Sequence, residues 1–141
     1  MTIPDLNVLL YAVNAESPHH PEARRWLGSA LDGRDAVGFP WAVLLGFMRL
    51  STRELIFPRP LSADEAVSVV ETWLNSPSSI PIEPTPRHLS VLAELLRVRG
   101  AAGNTTTDAH LAALAIEHKA EVATFDHGFG RFPGVRVAIL G

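Results

Sequence analysis

The stretch Asn104-Thr-Thr-Thr-Asp108-Ala-His-Leu-Ala-Ala-Leu-Ala-Ile116, followed by Val122-Ala-Thr-Phe-Asp126, decides the fold class. Its first part predicts a helix, because apolar residues recur at helical spacing, Thr105 or Thr106 offers a cap, and Asp108 lies in the first turn. Its second part predicts a short buried strand that ends at an aspartate. A helix followed by such a strand is typical of α/β proteins, whose sites lie beyond the carboxyl ends of the strands.

Outside this stretch, short apolar runs alternate with amphipathic segments along the chain. Pro4 conflicts with the first strand, because proline lacks a backbone donor, unless it takes the last position. Ser62 and Glu65 have the spacing of a capping box, which predicts the start of a helix. The predicted strands cover residues 1–5, 36–39, 80–82, 122–125 and 135–140. The predicted helices cover residues 7–13, 21–31, 41–52, 62–74, 85–99 and 104–116.

This alternation predicts an α/β fold with a central, mainly parallel sheet of four or five strands flanked by helices. At 141 residues the chain has the length of a single domain, residues 1–141, with enough residues for a core. The sequence shows neither internal repeats nor a low-complexity segment that would mark a domain boundary.

The composition excludes several kinds of site and several classes of protein. The lack of cysteine excludes disulfides, thiolate zinc sites and thiol catalysis. No apolar run reaches the roughly 18 residues of a membrane span. An acid as early as Asp5 argues against a signal peptide, so we expect a cytoplasmic protein with no membrane role. The net charge of −3 gives no general attraction to nucleic acid, although 11 of the 12 basic residues are arginine, which suits local phosphate contacts.

Three acids are distinguished by position: Asp5 after the first strand, Asp108 in a first helical turn, and Asp126 after a later strand. If the first and fourth strands are neighbours, these carboxylates meet at one sheet edge and repel each other. Mg²⁺ or Mn²⁺, which prefer oxygen ligands, would relieve that repulsion and activate a phosphodiester. The sequence leaves a structural alternative open for each acid: a helix cap for Asp5, interaction with the helix dipole for Asp108, and a turn for Asp126.

Three motifs together resemble those of the PIN-domain ribonucleases, and most closely those of the VapC toxins. They are Asp5-Leu-Asn7, Gly103-Asn-x-x-Thr-Asp108-Ala-x-Leu-Ala-Ala-Leu-Ala, and Ala123-Thr-Phe-Asp126-x-x-Phe129. The resemblance spans nearly the whole chain. It implies a PIN-like fold with strand order 3-2-1-4-5, a Mg²⁺ or Mn²⁺ cofactor, and RNA cleavage that leaves a 3′-hydroxyl. It also implies a homodimer and a VapB-like antitoxin that blocks the site.

The resemblance assigns roles residue by residue. It implies that Asp5, Asp108 and Asp126 are the catalytic and metal-binding residues, as ligands of Mg²⁺ or Mn²⁺ or as groups that orient the attacking water. It implies that Asn7 and Thr124 hold those carboxylates in place.

The sequence departs from the family in the helix that starts at Trp41. Gly46, in Leu45-Gly-Phe-Met-Arg49, stands where the family usually has a glutamate, so the fourth acid has no counterpart. One branch of VapC-like sequences is similar in carrying Gly-Phe-x-Arg at this point. Glu54 lies eight residues further, about 12 Å along a helix, and is not expected to substitute.

Other polar residues near these motifs have weaker assignments. Arg49 and Arg53, with Arg59, are candidates for RNA contact, and the alternative is a solvated or ion-paired helix face. His110 and His118 lie two turns apart on the predicted central helix, and we expect them to pack or to face water rather than to bind metal.

Two functional hypotheses follow. The first is a metal-dependent endoribonuclease that acts as the toxin of a type II toxin–antitoxin system. The second is a catalytically weak or inactive PIN-like module that binds RNA or antitoxin, because Gly46 replaces an acid. Another α/β phosphohydrolase is disfavoured, since the chain lacks a phosphate-binding Gly-rich loop and a serine elbow. Apolar segments 41–57 and 67–73 would contact a second copy or an antitoxin, or form core.

Overall fold

The computed structural model describes the backbone of residues 1–141 and the burial of every residue except Gly130. In the described part the strands are β1 (Thr2–Pro4), β2 (Val37–Pro40), β3 (Ser79–Ile82), β4 (Glu121–Thr124) and β5 (Arg136–Ile139). The helices are α1 (Leu6–Val13), α2 (His20–Leu31), α3 (Trp41–Ser51), α4 (Ala63–Leu74), α5 (His88–Arg99) and α6 (Thr105–Glu117), and a 3₁₀ helix covers His127–Arg131.

The five strands form one sheet in the order β3-β2-β1-β4-β5, and every neighbouring pair is parallel. The α/β class and the predicted strand order are confirmed. The sheet places β1 and β4 side by side, although they lie at opposite ends of the sequence. Their carboxyl ends therefore open at the same edge, which is where a parallel sheet places its site.

Pro4 takes the last position of β1, opposite Ala123. The next residue, Asp5, donates its backbone N–H to the carbonyl oxygen of Ala123 at 2.8 Å, so the ladder continues past the proline. The conflict raised by the sequence is thus resolved at the strand end, where proline is tolerated.

The capping box at the start of α4 is confirmed. Ser62 Oγ accepts a hydrogen bond from the Glu65 backbone at 3.1 Å, and Glu65 Oε1 accepts one from the Ser62 backbone at 3.0 Å. This reciprocal pair satisfies two backbone donors at the helix end.

One predicted helix cap and one predicted helix start were wrong. Neither Thr105 nor Thr106 caps α6; both lie in its first turn, and Thr106 Oγ1 donates instead to the carbonyl oxygen of Ala101. The fifth helix begins at His88 rather than at residue 85, because Thr85 is held outside the helix by Glu117.

The core lies between the sheet and the helices that cover it. All four residues of β2 are buried, and so are six residues of α6 between Ala109 and Ala115, four of which are alanines. The largest fully buried apolar side chains belong to both layers and include Ile3, Leu9, Phe39, Leu44, Phe47, Leu114 and Val122. Among the described residues, none of the helices has the length and hydropathy to cross a bilayer.

Candidate functional site

The three acids singled out in the sequence line one cavity. Asp5 connects β1 to α1, Asp108 lies in the first turn of α6, and Asp126 follows β4 by two residues. All three are among the lining residues of a cavity of about 360 Å³ at the carboxyl edge of the sheet. The topology thus brings together residues from both ends of the chain.

Asp5 is the most deeply held of the three. Its Oδ1 accepts a hydrogen bond from the Leu6 backbone at 2.7 Å, so it caps α1, and its Oδ2 accepts one from Thr124 Oγ1 at 2.7 Å. Burial raises the pKa of the Asp5 carboxyl above its usual value; these hydrogen bonds oppose that rise, and the charge of Asp126 adds to it. The helix-cap alternative is therefore true of Asp5, and it coexists with a place in the cavity.

Asn7 and Thr124 connect Asp5 to the end of β4. Asn7 Nδ2 donates to Thr124 Oγ1 at 3.2 Å and lies 3.4 Å from Asp5 Oδ2, while Asn7 Oδ1 accepts from the Phe125 backbone at 3.1 Å. Thr124 Oγ1 also accepts from the Asp126 backbone at 3.0 Å. Because Thr124 is fully buried, this network fixes the orientation of the Asp5 carboxylate.

The surroundings of Asp108 disfavour its charged form. Burial first, and then the charges of Asp5 and Asp126, raise the pKa of Asp108 to about 6, although Arg99 opposes the shift. This mutual effect is the repulsion expected of carboxylates that share a cavity.

Asp126 is exposed and partly engaged by its own loop. Its Oδ1 accepts a hydrogen bond from the Gly128 backbone at 2.8 Å, at the start of the 3₁₀ helix. The turn alternative is therefore also true of this residue. Its second oxygen is free of that bond and available to the cavity it lines.

The donor set suits a hard divalent cation, because three carboxylates supply only oxygen ligands and their repulsion is relieved by positive charge. As the side chains stand, no three His, Cys, Asp or Glu residues in the described part are close enough together to hold an ion. Binding would therefore require the carboxylates of the half-buried Asp108 and the exposed Asp126 to turn toward Asp5. The shared-ligand role of the three acids stays a prediction.

Gly46 does not face open space. A Cβ placed on it would lie 2.9 Å from Leu6 Cδ2, and Leu6 itself lines the acidic cavity. The place that the family gives to a glutamate is thus next to the site and is filled by a leucine. Arg49, one turn along α3, lines the cavity instead.

The structure places the other two candidate arginines outside the acidic cavity. Arg53 is exposed beyond the end of α3 and is not among the residues that line the acidic cavity, and Arg59 lines a different cavity of about 140 Å³. The sequence reasoning missed Asn104 and Thr107, which line the acidic cavity, and also Arg99, whose charge acts on Asp108. Their only sequence signal is proximity to Asp108 or to the end of the preceding helix.

His110 does not simply pack or face water. It is hydrogen-bonded to His88, which is bonded in turn to Glu117. Burial first, and then His88, lower the pKa of His110. Burial alone would raise the pKa of Glu117, but hydrogen bonds from Thr85 and His88 outweigh it and leave that pKa below its usual value.

Comparisons with known proteins find relatives over nearly the whole chain. The sequence model of the PIN domain family matches residues 2–135. The chain is 52% identical over 136 residues to Ribonuclease VapC37 of Mycobacterium tuberculosis, which covers 96% of this chain and 94% of the relative. It is 37% identical over 136 residues to Ribonuclease VapC33 of the same species, covering 96% of this chain and 95% of the relative.

Solved structures share the fold at lower identity. VapBC2 from Rickettsia felis, solved bound to a promoter DNA fragment, superposes with a TM-score of 0.73 at 18% identity, over 99% of this chain and 98% of that chain. Mycobacterium tuberculosis VapC20, a toxin that cleaves the sarcin-ricin loop, gives a TM-score of 0.68 at 19% identity, over 96% of this chain and 99% of that chain.

Proposed function

From the premise that this chain belongs to the PIN-domain family, and within it to the VapC proteins, we propose that it is an endoribonuclease and the toxin of a type II toxin–antitoxin pair. The observation that carries the proposal is that three carboxylates from three separate elements, Asp5, Asp108 and Asp126, line one cavity. The relatives named above are ribonucleases, and they match this chain over nearly its whole length.

The chemistry we propose is hydrolysis of a phosphodiester at the acidic cavity, with Mg²⁺ or Mn²⁺ as cofactor. Asp5, Asp108 and Asp126 would hold the cation, which supplies positive charge to the scissile phosphate when bound. Asn7 and Thr124 keep the Asp5 carboxylate oriented, since both bond to it or to each other. The raised pKa of Asp108 supports the proposal, because that repulsion is what a cation would relieve.

Arg49 is the arginine that we assign to RNA contact. It lines the acidic cavity, where a guanidinium can pair with a backbone phosphate through two parallel hydrogen bonds. This local cation matters because the net charge of −3 gives the whole molecule no attraction to RNA. Arg53 is not assigned this role, because it lies outside that cavity.

The proposed partners are a VapB-like antitoxin and a second copy of this chain. Structural neighbours include VapC-type toxins solved together with their antitoxins, as in VapBC2 of Rickettsia felis and VapBC of Salmonella typhimurium. A cytoplasmic location follows from the proposed RNA substrate.

The test is cleavage of total RNA by the purified protein in Mn²⁺, in Mg²⁺ and in EDTA. We expect cleavage in at least one metal and none in EDTA, and we expect Asp126→Asn to lower the rate by at least about a hundredfold. Asp35→Asn is the matched control, because Asp35 is exposed and precedes β2, at the opposite edge of the sheet.

Two results would count against the proposal. Cleavage that persists in EDTA, or in variants with Asp5, Asp108 or Asp126 replaced by Asn, rejects the mechanism. Wild-type protein that binds RNA but leaves it intact with either metal supports the inactive module instead, and Leu6 packed against Gly46 is where such a loss would originate.

A further inference from the structure

A buried chain of hydrogen bonds crosses the face between α5 and α6, outside the acidic cavity. Glu117 Oε2 lies 2.5 Å from His88 Nδ1, and His88 Nε2 lies 2.8 Å from His110 Nδ1. The Glu117 side chain is 0% exposed and that of His88 14%. Since His110 and Glu117 are seven residues apart on one helix, two turns on the same face, the His88 ring bridges them.

The Glu117 carboxylate sets the direction of every hydrogen bond in this series. Glu117 Oε1 accepts from the Thr85 backbone at 2.9 Å and from Thr85 Oγ1 at 2.6 Å. The carboxylate can only accept, so His88 Nδ1 must donate to it. With one proton on each ring, His88 Nε2 accepts from His110 Nδ1–H, and His110 Nε2 carries the free lone pair.

The far end of the chain lies beside the acids. His110 lines a small cavity of about 30 Å³ together with Asp5, Leu6, Thr107 and Asp108. That volume is sufficient for a water molecule, and the walls offer the polar partners that a buried water needs. Because Nδ1 of His110 is engaged by His88, Nε2 is the ring nitrogen available to this cavity.

We propose that Glu117 and His88 are positioning residues that hold His110 so that its Nε2 lone pair orients a water molecule between Asp5 and Asp108. The inference rests on the proposed RNA cleavage at the same acids and deepens it. Glu117 acts at a distance here, through two ring systems, on the hydrogen-bonding character of the cavity wall.

The decisive variant is Glu117→Gln, which has nearly the same shape. The Thr85 backbone N–H can only donate, so the amide oxygen stays on Thr85 and the amide N–H₂ faces His88. His88 Nδ1 must then accept, His88 Nε2 donates to His110 Nδ1, and His110 Nε2 becomes a donor. Glu94→Gln is the matched control, because Glu94 is an exposed carboxylate on α5 that is paired with Arg97.

Nitrogen NMR of ¹⁵N-histidine-labelled protein measures this directly. In the wild type and in Glu94→Gln we expect His110 to be protonated at Nδ1 and bare at Nε2, and in Glu117→Gln the reverse. His20, whose Nδ1 bonds the Tyr11 carbonyl, should be the same in all three. A protonated Nε2 in the wild type, or the same His110 tautomer in wild type and Glu117→Gln, overturns the proposal. The wild-type spectrum decides alone if the variant does not fold.

Kinetics supply the second readout. We expect Glu117→Gln to lower kcat for RNA cleavage about tenfold or more while KM stays within about twofold, because water orientation rather than RNA binding is changed. An unchanged kcat in a variant with the reversed tautomer rejects the positioning role. If the wild type fails to cleave RNA, the proposed function fails. The spectra then still show whether His110 is protonated at Nδ1, as the hydrogen bonds from Glu117 to His110 require.

Discussion

At the scale of single residues, two acids of the candidate site have both a structural role and a place in the cavity. Asp5 caps α1 and lines the cavity, and Asp126 closes a turn and lines the same cavity. The structural and functional explanations of such acids are therefore not exclusive. Asp108 differs, because the described part of the structure gives its carboxylate no bond that offsets its burial and its acidic neighbours.

This strain predicts a pH-dependent stability. The pKa of Asp108 is about 6 in the folded protein against 3.8 ordinarily, so the folded state binds the proton more tightly. Its contribution to the free energy of unfolding is therefore present below pH 4 and is lost as pH rises to about 6. We expect Asp108→Asn to be more stable than the wild type above pH 6 in EDTA, and this gain to vanish near pH 4, as measured by urea denaturation.

Asp64→Asn provides the matched control for that measurement. Asp64 also lies in the first turn of a helix, but it is exposed on α4 and distant from the acidic cavity. Its replacement removes a favourable interaction with the helix dipole and should be neutral or destabilising at pH 7. An Asp108→Asn protein less stable than the wild type at every pH would contradict the repulsion described here.

At the scale of elements, α6 organises the site. It presents Asp108 in its first turn, His110 two residues further and Glu117 at its end, while its alanines allow close packing against the sheet and α5. Because most residues from Ala109 to Ala115 are buried, tertiary packing stabilises this helix despite its weak amphipathicity and the absence, in the described part, of a side-chain cap.

A second element-scale feature is the contact of α3 with Leu6, and paired glycine substitutions test it. Gly28 lies on the exposed side of α2 with nothing within 4 Å of an added Cβ, so Gly28→Ala should stabilise the protein by about 1 kcal/mol. Gly46→Ala should give less or none of that gain, because its Cβ would lie 2.9 Å from Leu6 Cδ2 and displace that side chain.

A double variant isolates the cause. In a Leu6→Ala background the added methyl group at position 46 has room, so Gly46→Ala should recover most of the gain seen at Gly28 in urea denaturation. If Gly46→Ala stabilises the wild type as much as Gly28→Ala does, the contact with Leu6 does not constrain α3.

At the scale of the whole molecule, the apolar segments marked in the sequence divide into core and surface. Val70, Trp73 and Phe57 are buried, whereas Trp41 is 45% and Leu45 57% exposed. Trp41 and Leu45 lie one turn apart on α3 and so form a continuous apolar face, with the exposed side chains of Leu55 and Ile56 after the helix. This face is the one that we assign to contact with a partner.

We expect this face to contribute to the proposed homodimer. Leu45→Arg should then shift the protein from dimer to monomer in size-exclusion chromatography with light scattering, because a charge would be buried without a partner. Leu89→Arg should leave the dimer intact, since Leu89 is 77% exposed on α5, away from α3. A wild type that elutes as a monomer removes the dimer, and an unaffected Leu45→Arg dimer moves its interface elsewhere.

Much of the architecture was determined by the sequence alone, because its signals are local. Helical spacing of apolar residues, the Ser62–Glu65 capping box and acids at strand ends depend on neighbours within a few positions, and they placed nearly every element correctly. The strand order came from the resemblance to a known family, and the structure confirmed it.

The sequence predicted that the three acids meet, and the resemblance implied that Thr124 holds them; in the structure Thr124 bonds Asp5 across 119 residues of chain. Only the tertiary structure decided two other contacts: Leu6 occupies the space beside Gly46, and His88 joins Glu117 across 29 residues. None of these contacts has a periodic or nearest-neighbour signature, because each arises when strands and helices distant in sequence are packed side by side. Local sequence signals therefore determine the fold class, while the hydrogen bonds and contacts within the site depend on how the sheet and the helices pack together.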